Sequence, residues 1–288
     1  MDRINLASGD YSLSINPEAG GSLAAFRWRE RDVMRPAAGG GVLDSSCFPL
    51  VPFSNRVEES RFQFRGTKVH LEPNHPSASH EPVLHGFGWT SPWSVLEAGA
   101  HSATIGFHHP AGDWPWPFTA TATYELSAFG LRASLSVANE SDNPMPAGLG
   151  FHPYFPRTSQ TLYRGLHTGE WQVDGACLPR TLSHRERAMD WWEGKPVGTR
   201  VVDTVYTGRE GPLQILWPDR GMEAIVTPDD ALDCTTVYVP ENEDFSCVEP
   251  VSHATDALNG KAGQEPMRVL EPGEEWSVAM AIEVRSLI

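Results

Sequence analysis

The sequence predicts an all-β fold, a sandwich or a barrel built from many short antiparallel strands. Three observations carry this. Apolar residues alternate with polar ones at period two over long stretches. Helical periodicity is nearly absent. The 24 prolines and 26 glycines are spread along all 288 residues and punctuate many turns. Regularly broken short strands of this kind close a core as stacked or rolled-up sheets.

The strands follow in chain order. Short alternating candidates are Tyr11–Ile15, Ser22–Trp28, Arg61–Phe64 and Thr104–His108. The clearest pair comes next. Phe118, Ala120, Ala122, Tyr124 and Leu126 share one face of one strand, and Leu131, Ala133, Leu135 and Val137 share a face of the next. The turn Ala128-Phe129-Gly130 joins them, which predicts a hairpin. Leu213–Trp217, Ala224–Thr227 and Thr235–Val239 are further candidates, and Trp276, Val278, Met280, Ile282 and Val284 line one face of the last strand. The one helical candidate lies near Arg185–Glu193 and stops at Gly194. No Gly/Ser linker, charge block or internal repeat divides the chain, so a single domain over residues 1–288 is expected.

Composition narrows the function. The net charge of -15 argues against nucleic acid, whose phosphates call for basic patches, and against anionic membrane surfaces. A small neutral molecule fits best. Cys47, Cys177, Cys234 and Cys247 form no C-x-x-C pair and match no zinc spacing, so buried free thiols in a reducing compartment are expected. The N-terminal MDRINLASGDYSLSINPEAGG lacks the apolar core of a signal peptide, and no run of about 18 apolar residues is present. A cytoplasmic location is the expectation.

Four segments set polar residues among prolines, glycines and rings. In Gly150-Phe151-His152-Pro153-Tyr154-Phe155, the proline stiffens a histidine flanked by aromatics. Histidine exchanges a proton near neutral pH, so the pattern suggests acid–base work on a small polar molecule. In Pro52-Phe53-Ser54-Asn55-Arg56-Val57, Arg56 either serves a ligand or ties a loop to a carboxylate. In His85-Gly86-Phe87-Gly88-Trp89, the glycines permit close backbone approach, and His85 is either a ligand or a turn residue. In Val248-Glu249-Pro250-Val251-Ser252-His253, Glu249 ends an apolar run. A half-buried carboxylate there would have a raised pKa suited to a base, and a cap or salt bridge is the alternative.

Metal binding is not expected. His70, His75, His80 and His85 recur every fifth residue, but Pro73, Pro76 and Pro82 prevent a regular helix from aligning them. His108 and His109 read as a surface pair. The chain has no dinucleotide fingerprint, no P-loop and no G-x-S-x-G elbow.

Taken together, PFSNRV at 52–57, HGFGW at 85–89, FHPYF at 151–155, VVDTVYTG at 201–208 and VEPVSHATDALN at 248–259 resemble the aldose 1-epimerase (galactose mutarotase) family, in the family's order. The resemblance implies a large antiparallel β-sandwich with few short helices, a sugar substrate, and no metal or organic cofactor. It implies Glu249 as general base on the anomeric hydroxyl and His152 as general acid on the ring oxygen. His85 would hydrogen-bond near that oxygen, and Arg56 and Asp203 would hold hydroxyls with Asn55 in support. Glu249 sits in a Glu-Pro-Val-Ser-His context where galactose mutarotases have E-T-Q, a departure that bears on the substrate. The shorter branch of the superfamily also includes hexose-6-phosphate epimerases. Arg56, Arg61, Arg65 and Lys68 are either a phosphate-binding group or, the favoured reading, a solvated strand face. A silent carbohydrate-binding protein is the third possibility. Trp89, Trp114, Trp116 and Trp217 are the candidates for stacking on the sugar, and the oligomeric state is left open.

Overall fold

Phe118–Ser127 and Gly130–Asn139 pair antiparallel in unbroken register from Phe118 opposite Asn139 to Ser127 opposite Gly130. Burial alternates along both, so the residues with apolar periodicity are those that face the core. This hairpin belongs to a 14-stranded sheet in a computed structural model that describes residues 3–39, 41–76, 82–260 and 264–287. A four-stranded sheet is formed by Ile4–Ser8, Tyr11–Asn16, Ser22–Trp28 and Arg31–Asp32, and two two-stranded ribbons complete the set. Among the described residues the named strands pair antiparallel, which allows short turns to join neighbours, and an isolated parallel bridge links Val51 to Gly86. The fold is the antiparallel β-sandwich expected. Its helical elements among the described residues are three-residue 3-10 turns, and no helix there is long and apolar enough to cross a membrane.

The core is one large cluster running from Leu6 in the first strand to Val284 in the last. The Tyr124 hydroxyl reaches across it to the Gly21 carbonyl (3.1 Å), and Tyr11 bonds the backbone of Val284. A smaller cluster packs Phe48, Leu50, Trp89, Tyr154 and Val251 directly behind the site described below.

Two expectations fail. The Arg185–Glu193 segment is not a helix. Most of it lies in the strand Pro179–Asp190, paired with Leu162–Val173. That pairing supplies backbone partners to a segment whose side chains, Pro179 apart, are exposed or only partly buried, so no apolar helical stripe is needed. Asp190 ends it by accepting hydrogen bonds from the Trp192 and Gly194 amides, each 2.9 Å. His108 and His109 are not a surface pair either. His108 is exposed beside Glu140 (3.2 Å), but His109 is stacked between Phe87 and Phe118, and burial lowers its pKa to about 4.

All four cysteines are free thiols. Cys47, Cys234 and Cys247 are buried and Cys177 is partly so.

Candidate active site

Two loops zip together at the wall of a cavity. His85 N–H donates to the Asn55 carbonyl (3.0 Å), and Phe87 N–H donates to the Val51 carbonyl (3.0 Å). Gly86 makes this approach possible. Its φ is +69°, and a Cβ there would lie 2.3 Å from the Val51 oxygen. Asn55 and His85 also adopt left-handed backbone, with φ of 60° and 57°. Such conformations persist where surrounding contacts hold them. Here the Asn74 side chain spans His85, bonding both backbone groups of Leu84 (2.8 Å each) and the Gly86 carbonyl (2.9 Å). The Asn55 N–H donates to Nδ1 of His85 (3.0 Å), so the proton of that neutral ring sits on Nε2. Burial, with His152 and Arg56 nearby, keeps the ring well below the usual histidine pKa.

The floor comes from the sheet. In the strand Phe245–Val251, Phe245, Cys247 and Glu249 alternate onto one face, and Phe245 and Glu249 line the cavity. Gly150 lies opposite Val251, and Tyr154 lies opposite Cys247. These two pairings bracket His152 and set it across from Glu249. Pro153 cannot donate to the ladder, so the strand is interrupted where the imidazole turns toward its partner. The result is a contact of 3.3 Å between His152 Nε2 and Glu249 Oε1. A further row runs across four strands, with Tyr154 opposite Cys247, Cys247 opposite Tyr238, and Tyr238 opposite Asp203. Directly opposed residues share a face.

The His152 ring stacks on Phe48 (4.5 Å between centroids) and packs against Tyr154 (4.7 Å). At the mouth, Arg56 Nη1 donates to Asp203 Oδ2 (3.0 Å), and Asn55 Oδ1 accepts from the Arg56 backbone (2.8 Å) and guanidinium (3.3 Å). Behind the aromatic wall, the Arg35 guanidinium lies over Tyr154 (3.9 Å) and Phe245 (4.4 Å) and donates to the Leu43 and Ser45 carbonyls.

Electrostatics follow from burial. Glu249 and His152 are 2 % and 6 % exposed. Loss of water pushes the Glu249 carboxyl well above the usual range. The Asp203 charge adds to this and Arg56 opposes it. The same loss lowers His152 to about 3, with the Arg35 charge contributing. Both shifts favour the uncharged forms, so a proton shared between these two adjacent groups is drawn toward the carboxyl. Glu249 Oε2 has no protein partner. The cavity measures about 340 Å³, room for one small molecule.

A sequence model of the family aldose 1-epimerase matches residues 2–283. The chain belongs to the aldose 1-epimerase family. It is 30% identical over 297 residues to the uncharacterized protein YphB of Escherichia coli (strain K12), covering all of both chains. A crystal structure from Escherichia coli K12, provisionally described as an aldose 1-epimerase, shares 28% identity with a TM-score of 0.90 over 99% of each chain. A galactose mutarotase-like protein from Clostridium acetobutylicum has the same fold at 18% identity, with a TM-score of 0.85 over 98% of this chain and 95% of its own. Family and fold together support an epimerase-type activity.

In this aldose 1-epimerase family member, the six residues singled out in the sequence, Asn55, Arg56, His85, His152, Asp203 and Glu249, all line one cavity. Glu249 is fully buried rather than half-buried, because its strand continues to Val251. The four tryptophans do not line it. Trp89, Trp114 and Trp217 are core residues at 1 % exposure or less, and Trp116 packs against Phe62 and Phe64. The rings at the cavity are Tyr154, Tyr238 and Phe245. No sequence pattern marks Tyr238 and Phe245 as cavity residues, because each lies on a short strand whose register is set by distant neighbours. His75 also lines the cavity, His70 is exposed on the strand Thr67–His70, and His80 lies outside the described residues. Arg61 pairs with Glu59, and Arg65 lies 3.9 Å from Glu271, both exposed and away from the cavity.

Proposed function

We propose that the protein is an aldose 1-epimerase that interconverts the α and β anomers of a free aldose by acid–base ring opening and closure. The observation that carries this is the 3.3 Å contact between Glu249 and His152 at the floor of a sugar-sized cavity. The anomeric hydroxyl and the ring oxygen of an aldose are both bonded to C1 and lie close together. A base and an acid that serve them must therefore be neighbours, not groups on opposite sides of the cavity.

In the reactive form the shared proton is on His152, leaving Glu249 ionised. Glu249 takes the proton of the C1 hydroxyl while His152 gives its proton to the ring oxygen. The C1–O5 electron pair stays with that oxygen, and C1 becomes the aldehyde carbon. Rotation about C1–C2 presents the other carbonyl face, and closure runs with the roles reversed. Each group contributes about 10²–10⁴-fold in rate. His85 offers its Nε2 proton toward the ring oxygen, and Arg56 and Asp203 bind hydroxyls with Asn55 supporting the arginine.

A free sugar is favoured over a sugar phosphate. Among the described residues the guanidinium lining the cavity, Arg56, is already neutralised by Asp203, and His85 is held neutral. A phosphate dianion would face the Asp203 carboxylate, which already pairs with the Arg56 guanidinium. Polarimetry on freshly dissolved α-aldoses tests the reading, with NMR exchange on glucose and glucose 6-phosphate run side by side. Catalysed exchange of a free aldose, lost in Glu249→Gln, is expected. Exchange confined to the phosphate would replace the substrate. Sugar binding with no acceleration over water would leave a silent carbohydrate-binding protein.

A further inference from the structure

The acid–base pair has a third neighbour that sugar chemistry does not use. Cys247 lies two residues before Glu249 on the same strand face and is fully buried. One ligand atom each from His152, Cys247 and Glu249 falls within 4.8 Å of the others. The His152 and Glu249 atoms are already 3.3 Å apart. Imidazole nitrogen, thiolate sulfur and carboxylate oxygen are the donors that suit zinc, at bond lengths of about 2.0–2.3 Å. Small side-chain adjustments would bring all three to one ion. The fourth, open position would face the cavity, where Glu249 Oε2 lacks a protein partner.

We propose that His152, Cys247 and Glu249 form a binding site for a thiophilic divalent cation such as zinc, and that the bound ion excludes the sugar and silences the enzyme. Charge supports this. A divalent ion with one thiolate, one carboxylate and one neutral imidazole has no net charge, so the complex avoids the large cost of an uncompensated buried charge. Two protons leave to solvent as the ion binds, one from the Cys247 thiol and one from the Glu249–His152 pair, because a coordinated thiol is deprotonated and the carboxylate must be free to bind. The ion takes up the His152 nitrogen and the Glu249 oxygen that ring opening needs, so metal and sugar compete. Strand geometry makes the trio possible. The alternation of Phe245–Val251 puts Cys247 beside Glu249, and the bracketing pairings put His152 across from it.

Cobalt(II) is the probe, since its thiolate complexes absorb in the near ultraviolet and its tetrahedral complexes absorb in the visible. Titrating the intact protein is expected to give both bands at one ion per chain, with zinc displacing cobalt. Cys247→Ser is expected to lose the near-ultraviolet band and to bind zinc about tenfold more weakly or worse. Cys47→Ala, which removes another buried thiol, is expected to keep the band. A spectrum without the thiolate band in wild type, or one unchanged in Cys247→Ser, overturns the proposal. Glu249→Gln and His152→Asn, titrated in the same way, each weaken binding if the trio is correct and leave it unchanged if it is not. The titration involves no sugar, so it stands or falls separately from the epimerase reading. Where anomer exchange is measurable, zinc inhibition that a chelator reverses, and that is relieved in Cys247→Ser, is the matching kinetic result.

Discussion

The backbone N–H of Asn55 donates to Nδ1 of His85 at 3.0 Å, and this one bond decides which nitrogen of the ring offers a proton to the cavity. The two residues answer each other, because the His85 N–H donates to the Asn55 carbonyl at the same distance. His85 thereby becomes a fixed donor rather than a titrating group. Asn74 secures the arrangement from outside by gripping the backbone on both sides of His85. Replacing Asn74 with Ala is expected to lower kcat/KM about tenfold or more. Asn74 itself does not line the cavity, so the loss reports the setting of His85. Steady-state kinetics of the variant provide the check, and an unchanged kcat/KM would show that His85 needs no such clamp.

Glu249 and His152 should fail together. Glu249→Gln and His152→Asn are each expected to reduce kcat by about 10²–10⁴. The double variant should be little worse than the poorer single one, since groups acting as a unit do not contribute additively. Anomer exchange followed by NMR measures all three. Multiplying losses would mean that the two act at separate steps.

Aromatic contact with the sugar should come from Tyr238 and Phe245. Truncating either to Ala is expected to raise KM about tenfold. Trp217→Phe should leave KM unchanged while costing stability. Its Nε1 donates to the Pro156 carbonyl (2.7 Å) in the core, away from the cavity. Paired kinetics and urea melts separate the two effects.

Stability should fall in mild acid. His85, His152, His167 and His253 are buried and neutral, with His152 and His167 lowered to about 3 and His253 to about 4. In the unfolded chain each takes up a proton near pH 6.5. Their contribution is therefore complete above pH 6.5 and is lost as pH falls toward those lowered values. Each contributes a slope of about 1.4 kcal/mol per pH unit within that window. Glu249 and Asp233, both raised by burial, work in the opposite direction, as two groups against these four histidines and His109. The urea midpoint at pH 5 should lie clearly below that at pH 7, and equal midpoints would contradict the burial argument.

Gly86→Ala is expected to destabilise by about 1–3 kcal/mol, because an L side chain is strained at that φ and its Cβ would collide with Val51. Loss of His85 alignment should lower activity in the folded fraction as well. A urea melt and an activity measurement on the same preparation test both.

Much of the fold was legible because alternation is local. The 118–139 hairpin announces itself in ten-residue runs, and its apolar positions are the buried ones. The Pro179–Asp190 strand was misread for the converse reason. Both of its faces carry polar residues, so only its partner strand reveals it. At the site, His152 and Glu249 stood out by their proline and aromatic settings, but their adjacency depends on pairing between segments about a hundred residues apart. The row from Tyr154 through Cys247 and Tyr238 to Asp203 was invisible for the same reason, since four separate strands supply one residue each. Trp89 and Trp217 were misleading because a large ring in a β-sandwich fills the core at least as readily as it lines a cleft.

The interior strand Phe245–Val251 sets a parity rule for descendants of this scaffold. Neighbouring strands hold it on both sides, so losing or gaining one residue ahead of Glu249 would turn the carboxyl to the opposite face of the sheet. Asn55 and His85 stand on connections that obey no such parity. Insertions and deletions in those connections can reshape the cavity wall, whereas the span that supplies the carboxyl admits substitution only.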